Sequence, residues 1–161
     1  MILNQQRRVR VSIAALDKFL AATQERLGLA PDSLAVALVS DPQMARWNAA
    51  YRGKNRSTDV LSFPADGPVP QTKAQTIRGK RSPRNRRPPP PSPSSPPYLG
   101  DIAIAPNVAR RNAPRHGRTF DQEMRILILH GLLHLMGYDH ETDKGQMTRR
   151  ENRLRRDLGL A

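Results

Sequence analysis

His130-Gly131-Leu132-Leu133-His134-Leu135-Met136-Gly137-Tyr138-Asp139-His140 decides how this 161-residue chain is read. The residues just before it, Ile126 to Leu129, are all apolar, so a buried helix is expected to run into the motif. An α-helix turns once in ~3.6 residues, so His130 and His134 project from one face, one turn apart. Gly137 can take a positive φ and end the helix. The chain then turns back and brings His140 to the same point. Three imidazoles around one ion form an open zinc site, with the fourth position left for water. A lone histidine on an apolar helix is ordinarily a core residue. Three of the chain's four histidines fall within this motif, at i, i+4 and i+10, and are read as metal ligands. The fourth, His116, sits in the polar stretch Arg115-His116-Gly117-Arg118 and is read as solvated.

The same ligand spacing occurs in metzincin proteases, which place a glutamate directly after the first histidine as general base. Here that position is Gly131. A protease without its base is disfavoured. The cage either serves another reaction or is structural.

Thr119 is expected to cap the motif helix, which runs to about Met136. A polar, Arg-rich helix closes the chain from Thr142 to about Leu158. Upstream, Leu99 to Ile104 has strand character interrupted by Asp101, which places it near an edge or a site. Asn107 to Asn112 reads as a short helix ahead of Pro114. Thr58 to Phe63 reads as a strand closed by Pro64. Asp41 is an N-cap candidate with Pro42 at the first helical position, for a helix to about Tyr51. Leu34 to Val39 is a buried strand. Ala14 to Leu27 has helical spacing and Gly28 as its stop, and Arg8 to Ile13 alternates like an edge strand. The expected class is α+β, a small mixed sheet packed with helices, with the zinc site at the end of a central helix.

Residues 68 to 97 break this pattern. They hold 10 of the 15 prolines, seven cations and no acid. Such a segment cannot bury enough apolar surface to offset its ordering entropy, so it is expected to be a disordered insertion inside one domain spanning 1 to 161. It is read as a tolerated surface loop, with a basic RNA-touching arm as the sharper alternative. It also carries more than half of the net charge of +13, so the rest of the chain is only moderately basic. A basic surplus favours a polyanionic partner. The chain has no cysteine, which excludes thiolate ligands and fits a reducing cytosol. No stretch approaches the ~20 apolar residues of a membrane span, and Met1 to Arg10 has no secretory h-region. A soluble cytoplasmic protein with no membrane partner is expected.

At this point the sequence resembles the YbeY family, bacterial metal-dependent endoribonucleases of rRNA maturation. His130 to His140 is similar to that family's signature throughout. Tyr51-Arg52-Gly53-Lys54 with Thr58-Asp59-Val60-Leu61-Ser62-Phe63-Pro64 resembles its second motif, and Leu99-Gly100-Asp101-Ile102-Ala103-Ile104 its third. Asp143, Met147 and Glu151 fall where its closing helix would place them. The 68 to 97 insertion is the main departure and separates two motif blocks that normally lie much closer. The resemblance implies an α+β fold, one zinc ion and cleavage of single-stranded RNA. It further implies work on the 3′ end of small-subunit rRNA and in ribosome quality control, with the ribosome or its small subunit as partner.

Zinc lowers the pKa of bound water toward ~7, which makes hydroxide available at neutral pH. The charge developing on a phosphodiester calls for a fixed cation. Arg52 is the candidate, because guanidinium matches phosphate geometry and stays charged, and the resemblance points to the same residue. Lys54 and Arg56 are weaker candidates for neighbouring phosphates. No general base is evident. Asp139 either orients an imidazole or caps its turn, and Asp59 and Asp101 either serve the site or are structural. Tyr138 and the single tryptophan, Trp47, are read as packing residues. A non-catalytic ribosome-assembly factor with a structural zinc is the rival reading.

Overall fold

The structure is a computed structural model that describes residues 1–66 and 96–160. The proline-rich segment read as an insertion, apart from Pro96 and Pro97, lies outside the described residues.

Four strands form one mixed sheet: β1 (Ile2–Asn4), β2 (Leu34–Leu38), β3 (Val60–Pro64) and β4 (Gly100–Ile104), in the order β1-β2-β4-β3. β1 and β4 run parallel to β2, and β3 runs antiparallel to β4. The helices are α1 (Ile13–Arg26), α2 (Asp41–Arg52), α3 (Pro106–Asn112), α4 (Phe120–Leu135) and α5 (Gln146–Asp157). The expected α+β class holds.

Side chains alternate across the sheet, as the period of two requires. Leu34, Val36 and Leu38 of β2 and Ile102 and Ile104 of β4 face Leu16 and Leu20 of α1 and Met124, Ile128 and Leu132 of α4. The opposite face is thinner: Leu61 and Ala103 meet Met44 of α2 and Val108 of α3, with Trp47 at the margin. A third cluster joins Leu129 and Leu133 of α4 to Met147 and Leu154 of α5. Helix α4 therefore lies between the sheet and α5, and for that reason is apolar on most of its circumference. Its start is a full capping box. Thr119 accepts from the Gln122 backbone N–H, and the Gln122 side chain accepts from the Thr119 N–H.

Four expectations are corrected or narrowed. Residues 8–13 are not a strand. The Gln6 amide grips buried Val9 through both its N–H and its carbonyl, at 2.9 Å each, and supplies the pairing a ladder would have provided. The parallel edge strand is instead β1. Of the two places open to strand β4, an edge or a site, it takes the second: it lies inside the sheet between β2 and β3, with Ile102 against Gly131 beside His130. Its Asp101 points out from the sheet and accepts from the Tyr98 hydroxyl at 2.6 Å. Finally, Ser40 rather than Asp41 caps α2, which moves Pro42 to the second helical position. Helix α5 begins at Gln146, later than expected, because the Asp143 carboxylate accepts from the backbone N–H groups of Gly145, Gln146 and Met147.

Candidate metal centre

Helix α4 delivers His130 and His134 from one face, and the chain reverses immediately afterwards. Gly137, at φ 91°, makes the reversal possible, and its N–H bonds the His134 carbonyl. Asp139 then folds the next turn onto itself. Its carboxylate accepts from the Glu141 backbone N–H at 2.9 Å and from the Thr142 hydroxyl at 3.0 Å. These bonds hold the Asp139 carboxyl below its usual range. Of the two roles open to Asp139, turn-capping is the one the geometry carries. It presents His140 back toward the helix.

One nitrogen from each of His130, His134 and His140 lies within 4.8 Å of the others. The Nε2 atoms of His130 and His134 stand 3.2 Å apart. Two imidazoles on a tetrahedral zinc, at ~2.0–2.1 Å each, have nitrogens roughly 3.4 Å apart. The helical pair already has about that separation, and His140 completes the set within 4.8 Å. Burial, followed by the charges of His130 and His140, lowers the pKa of His134 and favours the neutral, ligating form. The donor set and its spacing fit a divalent first-row ion suited to nitrogen ligands, and three ligands leave a position open.

Behind His130 stands a residue to which the sequence reading gave no role. Glu151 of α5 is buried, and its Oε2 lies 2.9 Å from His130 Nδ1. Its other oxygen accepts from Arg155. Burial pushes the Glu151 carboxyl up, but the His130 hydrogen bond and the Arg155 charge outweigh it and hold the pKa below the ordinary value. An ionised carboxylate only accepts, so the contact is a hydrogen bond when His130 Nδ1 carries the proton. The signal was present in the sequence. Met147, Glu151 and Leu154 share one face of an otherwise polar helix, and Glu151 is the acid in that apolar stripe.

Gly131 has a steric reason. A Cβ there would stand 2.8 Å from Ile102 Cγ2 and 3.2 Å from Ser62 Oγ, because β3 and β4 press directly on this turn of α4. A metzincin-type glutamate has no room at this position.

The histidines form one wall of a cleft of about 460 Å³, with Arg52 and Thr58 among the other residues lining it. Arg52 ends α2, where Gly53 in the left-handed region terminates the helix. Its guanidinium is half-exposed and lies 3.7 Å from Glu141 Oε1. Lys54 and Arg56 are exposed on the following loop, outside the cleft walls. Buried Asn48 holds that loop by donating to the Arg56 carbonyl at 2.7 Å. Asp59 lines the cleft, but its oxygens accept from the Val60 N–H and from Asn112. Tyr138 lines the cleft and packs against the α4–α5 cluster. His116 is not simply solvated. Its Nδ1 pairs at 2.8 Å with Glu123, a carboxylate of which only 1% is exposed and which Arg118 also holds at 2.9 Å.

The family described as Endoribonuclease YbeY matches residues 1–159. Among curated relatives, an Endoribonuclease YbeY of Solibacter usitatus is 36% identical over 148 residues, covering 91% of this chain and 79% of that protein. One from Koribacter versatilis is 35% identical over 160 residues, covering 99% and 86%. One from Rhodopseudomonas palustris is 42% identical over 129 residues, and there the match spans 58% of the relative's length. Among solved structures, the solution structure of TM1509 from Thermotoga maritima aligns with a TM-score of 0.54 at 24% identity. That alignment covers 98% of this chain and 89% of the other, and it supports the fold.

Proposed function

The chain belongs to the YbeY family of endoribonucleases, and from that premise we propose that it is a single-strand-specific, zinc-dependent member acting in 3′-end maturation of small-subunit rRNA and in ribosome quality control. The observation that carries the proposal is the convergence of three imidazoles on one wall of a cleft that also holds Arg52. His130, His134 and His140 would hold the ion. A zinc ion bound there supplies Lewis acidity and lowers the pKa of water at the site toward ~7.

The chain's own residues do the rest. The cleft admits an RNA strand, and Arg52 at its rim pairs with the non-bridging oxygens of the scissile phosphate. Substrate phosphate displaces the loose Glu141 contact, because the phosphodiester monoanion offers the guanidinium two non-bridging oxygens where Glu141 offers one at 3.7 Å. Arg52 then faces the negative charge that grows on those oxygens, where a fixed cation acts most strongly. Gly137 and Asp139 keep His140 in place. Tyr51 and Tyr138 line the cleft beside the histidines, but Arg52 is the cation placed to meet the phosphate, so binding includes a backbone-electrostatic part that weakens with salt. Cytoplasmic location and the ribosome or its small subunit as partner belong to the same proposal, as does a single domain interrupted at 68 to 97. Among the described residues no helix is long and apolar enough to cross a membrane.

The rival, an assembly factor with a structural zinc, is disfavoured by the three-ligand set, since structural sites usually close with four. The test is cleavage of a single-stranded RNA by the purified protein with and without chelator, beside Arg52→Ala and a folded His134→Ala. Metal-dependent cleavage lost in both variants is the expected result. Wild-type protein that binds zinc and RNA but never cuts would leave the assembly-factor reading standing.

A further inference from the structure

We propose that Glu151 is a positioning residue of the metal centre. Its carboxylate, held from behind by Arg155, fixes the His130 imidazole in the Nδ1–H form with Nε2 turned to the ion. This inference rests on the three-histidine reading and assigns that site a partner from a different helix.

Three observations carry it. The first is contact: Glu151 Oε2 lies 2.9 Å from His130 Nδ1, and among the described residues His130 is the one ligand histidine that meets a carboxylate. The second is burial. Glu151 is 8% exposed, on the face of α5 whose neighbours Met147 and Leu154 pack on α4. A carboxylate kept there costs free energy that a leucine would not, and an i,i+4 pair with Arg155 needs no burial to form. The buried partner that the pair gains is His130. The third is exclusion of the obvious competitor. Asp139 adjoins His140 in sequence, but the Glu141 N–H and the Thr142 hydroxyl occupy its oxygens.

The physical consequence follows from the chemistry of imidazole. A neutral ring has one donor nitrogen and one acceptor nitrogen, and a partner on one fixes which is which. With Nδ1–H directed to Glu151, the Nε2 lone pair is aimed at the ion before it arrives. The carboxylate also makes that nitrogen a better donor to the metal. Arg155 holds the carboxylate so that it cannot rotate away. Helix α5 thus contributes to the centre without supplying a ligand.

The experiment compares wild type with Glu151→Gln, Glu151→Leu and Glu151→Asp on the full chain. Zinc affinity is read by competition with a chromophoric chelator. The tautomer of His130 is read on metal-free protein by long-range 1H–15N correlation at mildly alkaline pH. Leucine suits the apolar stripe, so that variant is expected to fold with an unchanged circular-dichroism spectrum. Zinc affinity should fall about 10- to 100-fold in the Gln and Leu variants, the range typical of lost partners of metal-bound histidine. The Asp variant should recover part of the loss. The His130 ring should leave the Nδ1–H form in the Leu variant. Zinc affinity within twofold of wild type in both the Gln and Leu variants would overturn the role of Glu151 while leaving the three-histidine site intact. A wild type that binds no zinc would overturn that site, and this role with it.

Discussion

The Ser62 hydroxyl donates to the Gly131 carbonyl at 3.0 Å, which joins strand β3 to helix α4 one residue beyond the first histidine of the cage. Ser62 pairs with Ile102 across β3 and β4, and both side chains meet the bare Gly131 backbone. The missing side chain thus sets how closely the cleft floor approaches the metal helix. It also explains why the residue after His130 is not an acid.

Filling this contact should be costly. Gly131→Ala gains ~1 kcal/mol in helix propensity but forces Ile102 to move, a strain of about 1–3 kcal/mol. We expect a net loss of stability in urea titrations. Gly131→Glu should be worse and should not create peptidase activity. A stable Gly131→Glu protein would show that the sheet yields more readily than its packing implies.

Zinc should act as a ligand of the folded state. Wild type with zinc should melt higher than metal-free wild type, by an amount that grows with zinc concentration. His134→Ala should lose that increment while its metal-free melting temperature stays near wild type, since the imidazole is only partly buried. Differential scanning fluorimetry across a zinc series checks both.

Arg52→Ala should reduce kcat by about 10²–10³-fold, with Arg52→Lys intermediate because an ammonium cannot bridge two phosphate oxygens. Stability should change by less than ~0.5 kcal/mol, because the Arg52–Glu141 contact is long and exposed. Steady-state cleavage kinetics beside thermal melts separate the two effects. An equal loss in both would make Arg52 a structural residue.

Glu123→Gln should lower stability by roughly 1–3 kcal/mol. It leaves a buried amide between Arg118 and His116 in place of a carboxylate that accepts from both. The site lies at the far end of α4 from the histidines, so zinc affinity should be unchanged. Chemical denaturation with and without zinc tests this.

Tyr98 should titrate late. Partial desolvation of this largely exposed side chain, with the hydrogen bond and charge of Asp101, pushes its hydroxyl up to about 12. Because the folded value lies above the unfolded value of 10.0, the neutral phenol favours the folded state. That contribution is complete below pH 10 and disappears as pH rises through 12. Absorbance at 295 nm should show a late step that Tyr98→Phe removes. A Tyr98→Phe titration superimposable on wild type would refute it.

What local geometry dictates was legible along the chain. Helical period puts His130 and His134 on one face, and Gly137 supplies the positive φ that returns the chain to His140. The Thr119 cap and the apolar course of α4 follow from backbone groups that each need a partner and from the alternation of polar and apolar residues. Family motifs carried Arg52 to the rim of the cleft. Tertiary structure decided the relationships that join residues distant in the chain. β1 is three residues long, too short for alternation to reveal, and exists because β2 offers it a parallel edge. β4 lies inside the sheet despite Asp101, because that side chain can point out from the sheet to Tyr98 while Ile102 and Ile104 enter the core. Glu151 reaches His130 only because α5 docks on α4, and Gly131 is required only because Ser62 and Ile102 arrive from two strands. Spacing along a chain constrains what one element can present. Which partner it meets depends on how separate elements pack, and no local period encodes that.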